Sequence, residues 1–149
     1  MVCEPMAGWR RVEVTQRRTA VDYAHLLKTL VDVDYPEADK IIVVQDNLNT
    51  HSPASLYKAF DPLEAQRLLC RLEFCHTPKH GSWLNMAEIE LSVLSRQCLD
   101  RRIADFTTLK TEVEAWQERR NQDMTWINWQ FTTADARVKL HRLYPSINS

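Results

Sequence analysis

Two short segments of the chain concentrate residue types that bind metal ions. Residues 46–51 read DNLNTH and place Asp46 directly after the β-branched run IIVVQ. Residues 77–88 read TPKHGSWLNMAE and place Glu88 near the start of a predicted helix. Carboxylate oxygens on rigid elements are the hard ligands that Mg²⁺ or Mn²⁺ requires. Two such ions about 4 Å apart can activate an attacking water or 3′-hydroxyl and stabilise the leaving oxygen.

Each of these residues also has an ordinary structural interpretation. Asp46, at a strand end, is as typical of a cap as of a ligand. Asn85 and Glu88 have the spacing of a capping box, and an acidic residue in a first turn also suits the helix dipole. Glu90 is a neighbouring acid, but it lies about 200° around the helix from Glu88 and could face solvent. Three further polar residues are more often ordinary surface or loop side chains: His51, Lys79 and His80.

The elements around these segments alternate between strand and helix patterns. The predicted strands are at 12–15, 41–44 and 72–76. A helix at 19–31, with Thr19 as its N-cap, lies between the first two strands, and a helical stretch from Ser52-Pro53 to Leu69, broken at Asp61-Pro62, lies between the second and third. Three helices follow the last strand: one from about Trp83 to Leu99, one carrying Phe106 to Trp116, and a short one from about Thr133 to Leu143.

This order predicts an α/β fold with a mostly parallel central sheet flanked by helices and a helical C-terminus. Right-handed crossovers place the polar strand ends along one rim, where α/β sheets commonly carry their chemistry. Asp46 lies at such a strand end. Trp126, Trp129 and Phe131 have no basic cluster between them, so we expect them to pack against the sheet and not to stack on bases.

Composition excludes several classes of protein. The 149 residues, 44% of them apolar, are typical of one soluble globular domain. Two glycines are too few for a glycine-rich phosphate loop or a dinucleotide fingerprint. No apolar run approaches the roughly 20 residues of a membrane span, and no secretory signal is visible. We therefore expect a cytoplasmic protein without a membrane partner. The net charge of −1 neither demands nor excludes DNA binding.

The two segments carry a family resemblance. DNLNTH, followed by TPKHGSWLNMAEIELSVLSRQCL, resembles the catalytic domain of mariner-like bacterial insertion-sequence transposases, which belong to the DDE superfamily and have the RNase H-like fold. The resemblance extends from EPMAGWRRVEV to FTTADARVKLHRLYP, which is essentially the whole chain. The long second motif is specific, so it favours a catalytic Glu88 over a cap.

The resemblance implies a reaction and its participants. Such enzymes hydrolyse a phosphodiester at the element end and then transfer the strand through the released 3′-hydroxyl, using two Mg²⁺ or Mn²⁺ ions. The implied partners are element-end and target DNA, and further copies of the full-length enzyme. The second catalytic and metal-binding acid corresponds to Asp46. The third follows Leu84-Asn85 and corresponds to Glu88. The interval of 42 positions is wide for the family, which leaves Glu90 as the alternative.

Several other residues are candidates for supporting roles. Those that would orient metal-bound water or DNA are Asn47, Asn49 and His51. Those that would hold the DNA backbone near the scissile phosphate lie in the loop before the catalytic helix: Lys79, His80, Ser82 and Trp83. Asn85 is a further candidate for binding DNA or for supporting the metal ligands. For Trp83, a core position at the start of the helix is an equally good interpretation.

The resemblance also implies a missing part. The first carboxylate of the family lies on a strand upstream of the segment matching EPMAGWRRVEV, and a helix-turn-helix lies further upstream. Glu4 and Glu13 match neither motif. We therefore expect residues 1–149 to form a single, N-terminally truncated catalytic domain with little or no cleavage activity alone. An unpaired strand edge would promote self-association, and an upstream-frame polypeptide could supply the strand. The alternatives are a non-catalytic fragment that binds DNA or transposase, and a decayed remnant.

Overall fold

A computed structural model describes residues 1–46, 48, 51–77, 86–128 and 130–139. Its strands are β1 (Val2–Glu4), β2 (Trp9–Arg11), β3 (Ile41–Gln45) and β4 (Leu72–His76). Its helices are α1 (Ala20–Thr29), α2 (Ser55–Ala59), α3 (Pro62–Arg71), α4 (Met86–Leu94), α5 (Phe106–Gln122) and α6 (Thr133–Lys139). The helices α1 and α4 each continue into a π-helical turn, Leu30–Asp34 and Ser95–Leu99.

Local sequence signals set the helix starts. Thr19 is the N-cap of α1, as predicted, and it forms a reciprocal capping box with Asp22. The predicted break at Asp61-Pro62 separates α2 from α3: the Asp61 carboxylate accepts from two backbone amides of α3, and Pro62 occupies its first turn. The Asp105 side chain caps α5 in the same way. The helical stretch beginning at Ser52-Pro53 starts slightly later than predicted, at Ser55.

A parallel strand pair forms the first half of the fold. β3 pairs with β4 from Ile41 opposite Leu72 to Gln45 opposite His76. One face of this pair packs on α1, α2 and α3 through a buried apolar cluster of Ala24, Leu27, Val31, Leu56, Ala65, Leu68 and Leu72. The other face is open: Ile42 is 63% exposed and Val44 is 57% exposed. The predicted central strand at 41–44 is confirmed as a strand, but only one of its faces is covered.

An antiparallel hairpin forms the second half. β1 pairs with β2 between Val2–Glu4 and Trp9–Arg11. The predicted strand at 12–15 is wrong, because these residues follow β2 without strand structure. The helix α5 covers the outer edge of β2: Asn121 accepts from the Arg10 amide at 2.9 Å and donates to the Arg10 carbonyl at 2.9 Å. Gln117 accepts from the Val12 amide. Side chains of α5 thus take the positions that another strand would take.

A buried ion cluster lies between the hairpin and the helices beside it. Glu90 of α4 is 1% exposed, as is Arg10 of β2. Arg10 Nε lies 3.0 Å from Glu90 Oε2 as an ion pair without hydrogen-bond orientation, and Arg120 of α5 donates to Glu90 Oε1 at 2.9 Å. The adjoining apolar cluster contains Leu94, Cys98, Val113 and Trp116. Glu90 therefore joins three elements from inside the core.

The expectation that Glu90 could face solvent is wrong. The helical spacing of Leu84, Ala87, Leu91 and Leu94 predicts that Leu91 faces inward on this helix, yet Leu91 is exposed and Glu90 is buried. The reason is tertiary: two arginines from β2 and α5 meet at Glu90, and their charges make it favourable for an acid to be buried there. Glu88, two residues earlier, is exposed.

The two halves meet at a small polar and aromatic junction. Arg11 of β2 donates through Nε to Asp34 at 2.7 Å, at the end of the π-helical turn after α1. Trp9 and Tyr35 stack edge to face with their ring centroids 5.3 Å apart. The Tyr35 hydroxyl donates to Glu4 at 2.6 Å. These contacts tie the hairpin to the first half.

We predict that Glu90→Gln lowers the free energy of unfolding by about 3–5 kcal/mol, the usual cost of removing one partner from a buried ion pair. Glu88→Gln is the matched control, because it changes the same residue type on an exposed position of the same helix, and it should change stability by about 0.5 kcal/mol or less. Urea denaturation followed by circular dichroism measures both. Equal stability of the two variants would contradict the buried cluster.

A surface ion network makes acid stability depend on Arg67. Arg67 donates to Asp32 through two nitrogens at 2.9 Å and also binds Glu64, and Lys28 contacts both acids. Hydrogen bonds from Arg67 are the main reason that the pKa of Asp32 falls from 3.8 to about 2. The resulting stabilisation is present above about pH 4 and is lost as the pH falls through about 2.

We therefore predict that Arg67→Gln destabilises the chain at near-neutral pH and that its difference from the wild type shrinks between about pH 4 and pH 2. Urea midpoints measured across this range test it, with Arg102→Gln as a control at an exposed arginine on another segment. A difference that stayed constant down to about pH 2 would show that these ion pairs do not act on stability.

We predict that the chain self-associates through the β3 sheet face. Among the described residues β3 pairs only with β4, and its exposed Ile42 and Val44 adjoin a free strand edge, which favours edge-to-edge association. Ile42→Lys should shift sedimentation velocity profiles toward the monomer. Leu63→Lys, at an apolar residue 80% exposed on α3, should not. A wild-type chain that sedimented as a monodisperse monomer would refute the prediction.

Candidate functional site

The parallel pairing of β3 and β4 determines where the candidate site forms. Gln45 lies opposite His76, and the Thr77 amide donates to the Gln45 carbonyl at 2.9 Å, one step beyond the last paired residues. The chain leaves both strands at this edge. Asp46 follows β3 there, as the sequence predicts for a residue at the carboxyl end of an α/β strand.

The turn after β3 holds the Asp46 carboxylate against His51. The two side chains meet between Asp46 Oδ1 and His51 Nδ1 at 2.6 Å. The same Oδ1 accepts from the Leu48 amide at 3.3 Å. Both side chains remain about one-third exposed. The Asp46 side chain therefore stabilises its own turn, as a cap would, while it stays accessible to solvent.

A second polar network lies directly behind Asp46. The Tyr23 hydroxyl donates to Gln45 Oε1, and Gln45 Nε2 lies 2.9 Å from both the His51 carbonyl and His76 Nε2. The Tyr23 and His51 rings lie 4.7 Å apart, tilted by 35°. Burial and the negative charge of Asp46 raise the pKa of Tyr23, so its phenol stays protonated and acts as the donor.

The two acids of α4 occupy different environments. Glu88 is exposed in the first turn of the helix. Glu90 is buried and contacts Arg10 and Arg120. Both of its oxygens therefore face arginines in the core, where a hydrated metal ion has no access. Of the two acids, Glu88 alone presents its carboxylate to solvent.

Seven predicted site residues lie outside the described residues: Asn47, Asn49, Lys79, His80, Ser82, Trp83 and Asn85. Asp46, His51 and Glu88 are described, and Asp46 and His51 are in direct contact. Within the described ranges, no three acidic, histidine or cysteine side chains gather as a metal-binding group.

The chemistry of Asp46 and Glu88 nevertheless fits a hard divalent ion. Both are carboxylates with access to water, and both lie on or directly after regular elements. Mg²⁺ keeps several waters and takes one or two carboxylates together with substrate phosphates, so it needs no cage built wholly from protein. Two solvent-accessible acids are therefore suitable as contributors to such a site.

The residues that sequence analysis missed are Tyr23, Gln45 and His76. Tyr23 lies on α1, where the spacing of the apolar residues predicts a helix but indicates no role for Tyr23. Gln45 is the one polar member of the run IIVVQ, and a buried polar residue at the end of such a strand was the available signal. Their convergence depends on how α1, β3 and β4 pack, which no spacing in the sequence encodes.

The aromatic residues of the C-terminal region differ from expectation. Trp126 was predicted to pack against the sheet but is 60% exposed, and Phe131 is half-buried. Trp129 lies outside the described residues. The expected packing is therefore wrong for Trp126.

Across the part of the chain that the structure covers, no helix combines the length and apolar character needed to cross a bilayer.

One comparison with known proteins identifies the family. The family model described as DDE superfamily endonuclease matches residues 1–110, well over half of the chain. No curated protein and no solved structure gives a significant match. The mixed α/β structure with its parallel strand pair is consistent with a partial RNase H-like domain of this kind, and the predicted α/β class is confirmed. Since the match covers well over half of the chain, including Asp46 and Glu88, the chain belongs to the DDE superfamily endonuclease family.

Proposed function

We propose that this chain is part of an insertion-sequence transposase related to the mariner-like enzymes. In this proposal it contributes Asp46 and Glu88 to a two-ion Mg²⁺ site for DNA cleavage and strand transfer. The observation that carries the proposal is the Asp46 turn. An accessible carboxylate lies at the carboxyl end of a parallel strand and is restrained by His51 and by its own backbone.

Support for Glu88 comes from its contrast with Glu90. From the sequence, both Glu88 and Glu90 are candidates for the third acid of the family, because they are two residues apart on one helix. Burial between Arg10 and Arg120 gives Glu90 a structural role in the core. The exposed position of Glu88 in the first turn of α4 is the one suited to a ligand that must also meet DNA.

In the proposed reaction the side chains of this chain provide position and charge. Bound metal ions would activate the attacking oxygen and stabilise the leaving oxygen of the phosphodiester. Asp46 and Glu88 would hold those ions and offset their charge. His51 contacts Asp46 Oδ1 and limits the rotation of the carboxylate, so less conformational freedom is lost when a ligand binds.

We also propose that a further strand completes the domain. The described strands form two separate two-stranded sheets, and the open side of β3 exposes Ile42 and Val44. Addition of a strand to a free edge gives backbone hydrogen bonds. A polypeptide encoded upstream, carrying the first acid of the family, is the proposed source. Full-length copies would then assemble on the element ends.

The site assignment is tested by Mn²⁺ binding to the 149-residue chain, measured by electron paramagnetic resonance of the free ion. Asp46→Asn and Glu88→Gln should each weaken binding about tenfold or more, since loss of groups that merely support a metal ligand already costs 10–100-fold. Glu118→Gln, at an exposed acid of α5, is the matched control and should leave affinity unchanged. Equal affinity in all four proteins would refute the assignment.

Nicking of supercoiled plasmid with Mn²⁺ tests the expected activity of the same chain. Little or no nicking is expected, because no three acidic, histidine or cysteine side chains of the described residues gather as a metal-binding group. Nicking that disappears in both Asp46→Asn and Glu88→Gln would support the site but contradict the expected inactivity. Nicking that persists in both variants would count against the proposed function.

A further inference from the structure

The Gln45 side chain is held by three different segments. Its Oε1 accepts from the Tyr23 hydroxyl on α1. Its Nε2 lies 2.9 Å from the backbone carbonyl of His51 and 2.9 Å from Nε2 of His76 on β4. The residue itself is 5% exposed. The hydrogen bonds of this buried amide matter for stability, because any donor or acceptor left unpaired there would cost free energy.

The donor and acceptor pattern of the amide is fully determined. A primary amide has two N–H donors and one carbonyl acceptor. The His51 carbonyl can only accept, so the nitrogen of Gln45 must face it. The oxygen then faces Tyr23, whose buried phenol must donate. The second amide hydrogen faces His76 Nε2, which accepts. Each partner therefore fixes one part of the orientation.

The amide acts on Asp46 through His51. The His51 backbone is fixed by Gln45, the His51 ring lies 4.7 Å from the Tyr23 ring, and the ring nitrogen Nδ1 contacts Asp46 Oδ1 at 2.6 Å. With its backbone and one ring face restrained, the imidazole has few orientations left. The contact with Asp46 is among those that remain.

We propose that Tyr23 and Gln45 are positioning residues for the Asp46 carboxylate, acting through the backbone and ring of His51. The proposal rests on the proposed function only in assigning Asp46 to the metal ion. In this proposal Tyr23 and Gln45 act on Asp46 and are not themselves ligands of the ion. They determine the direction in which Asp46 Oδ1 points before either ligand arrives, which is how a supporting hydrogen-bond network raises the affinity of a metal site.

The decisive test is the tautomer of His51 in the full chain, measured by long-range ¹H–¹⁵N correlation spectroscopy. In the wild type we expect the proton on Nδ1, which donates to Asp46. Tyr23→Phe keeps the ring beside His51 but removes the hydroxyl, so the Gln45 amide is free to reorient. The His51 signals should then shift toward the Nε2-protonated form.

Two further variants make the test specific. Tyr57→Phe removes a hydroxyl from a half-exposed tyrosine on α2 and should leave the His51 signals unchanged. Gln45→Met keeps the length of the side chain and removes all of its donors and acceptors, so it should shift the signals at least as far as Tyr23→Phe. It also provides the answer if Tyr23→Phe fails to fold, since the backbone pairing of β3 with β4 does not use the Gln45 side chain.

A Mn²⁺ titration of the same proteins distinguishes this proposal from the proposed function. Tyr23→Phe should bind Mn²⁺ three- to tenfold more weakly than the Tyr57→Phe control, about the effect of one lost hydrogen bond. If the wild type does not bind Mn²⁺ through Asp46, the proposed function fails, yet a changed His51 tautomer still supports the positioning. An Nδ1-protonated His51 in both Tyr23→Phe and Gln45→Met overturns the positioning, whatever the metal does.

Discussion

Glu90 is buried in the core, where two arginines contact it, and the second half of the molecule is organised around this ion cluster. Arg10 reaches it from β2 and Arg120 from α5. An acid buried without such partners would be strongly unfavourable, and Arg10 is itself only 1% exposed. The ion cluster therefore links β2, α4 and α5 to one another. The orientation of α4 follows from this, because turning Glu90 inward leaves Glu88 on the surface.

The first half depends on a different principle. Its apolar cluster between the strands and α1 to α3 needs no charge to specify it, and the parallel register of β3 with β4 brings two chain exits to one edge. At that edge Gln45 is satisfied from three directions. Rigid apolar packing on one side and a small saturated hydrogen-bond network at the rim are the usual combination for a site that must hold one carboxylate in place.

The sequence predicted the parts of this arrangement that depend on local chemistry. The strand at 41–44, the Thr19 cap and the break at Asp61-Pro62 all follow from neighbouring residues, and all are present. The inward face of α4 was predicted wrongly, because apolar periodicity cannot anticipate arginines that arrive from residues 10 and 120. Tyr23 and Gln45 were missed for the same reason: their partners are distant in sequence, and their importance lies in a geometry that only the tertiary fold creates.

The small junction between the halves has a mechanical consequence. Asp46 belongs to the half built on β3 and β4, whereas Glu88 belongs to the half built on β1, β2 and α5. The separation of the two carboxylates therefore depends on how the halves are joined, and the contacts of Arg11 with Asp34 and of Trp9 with Tyr35 are part of that junction. In the proposed site, a cation bound by both Asp46 and Glu88 would therefore also connect the two halves of the molecule to each other.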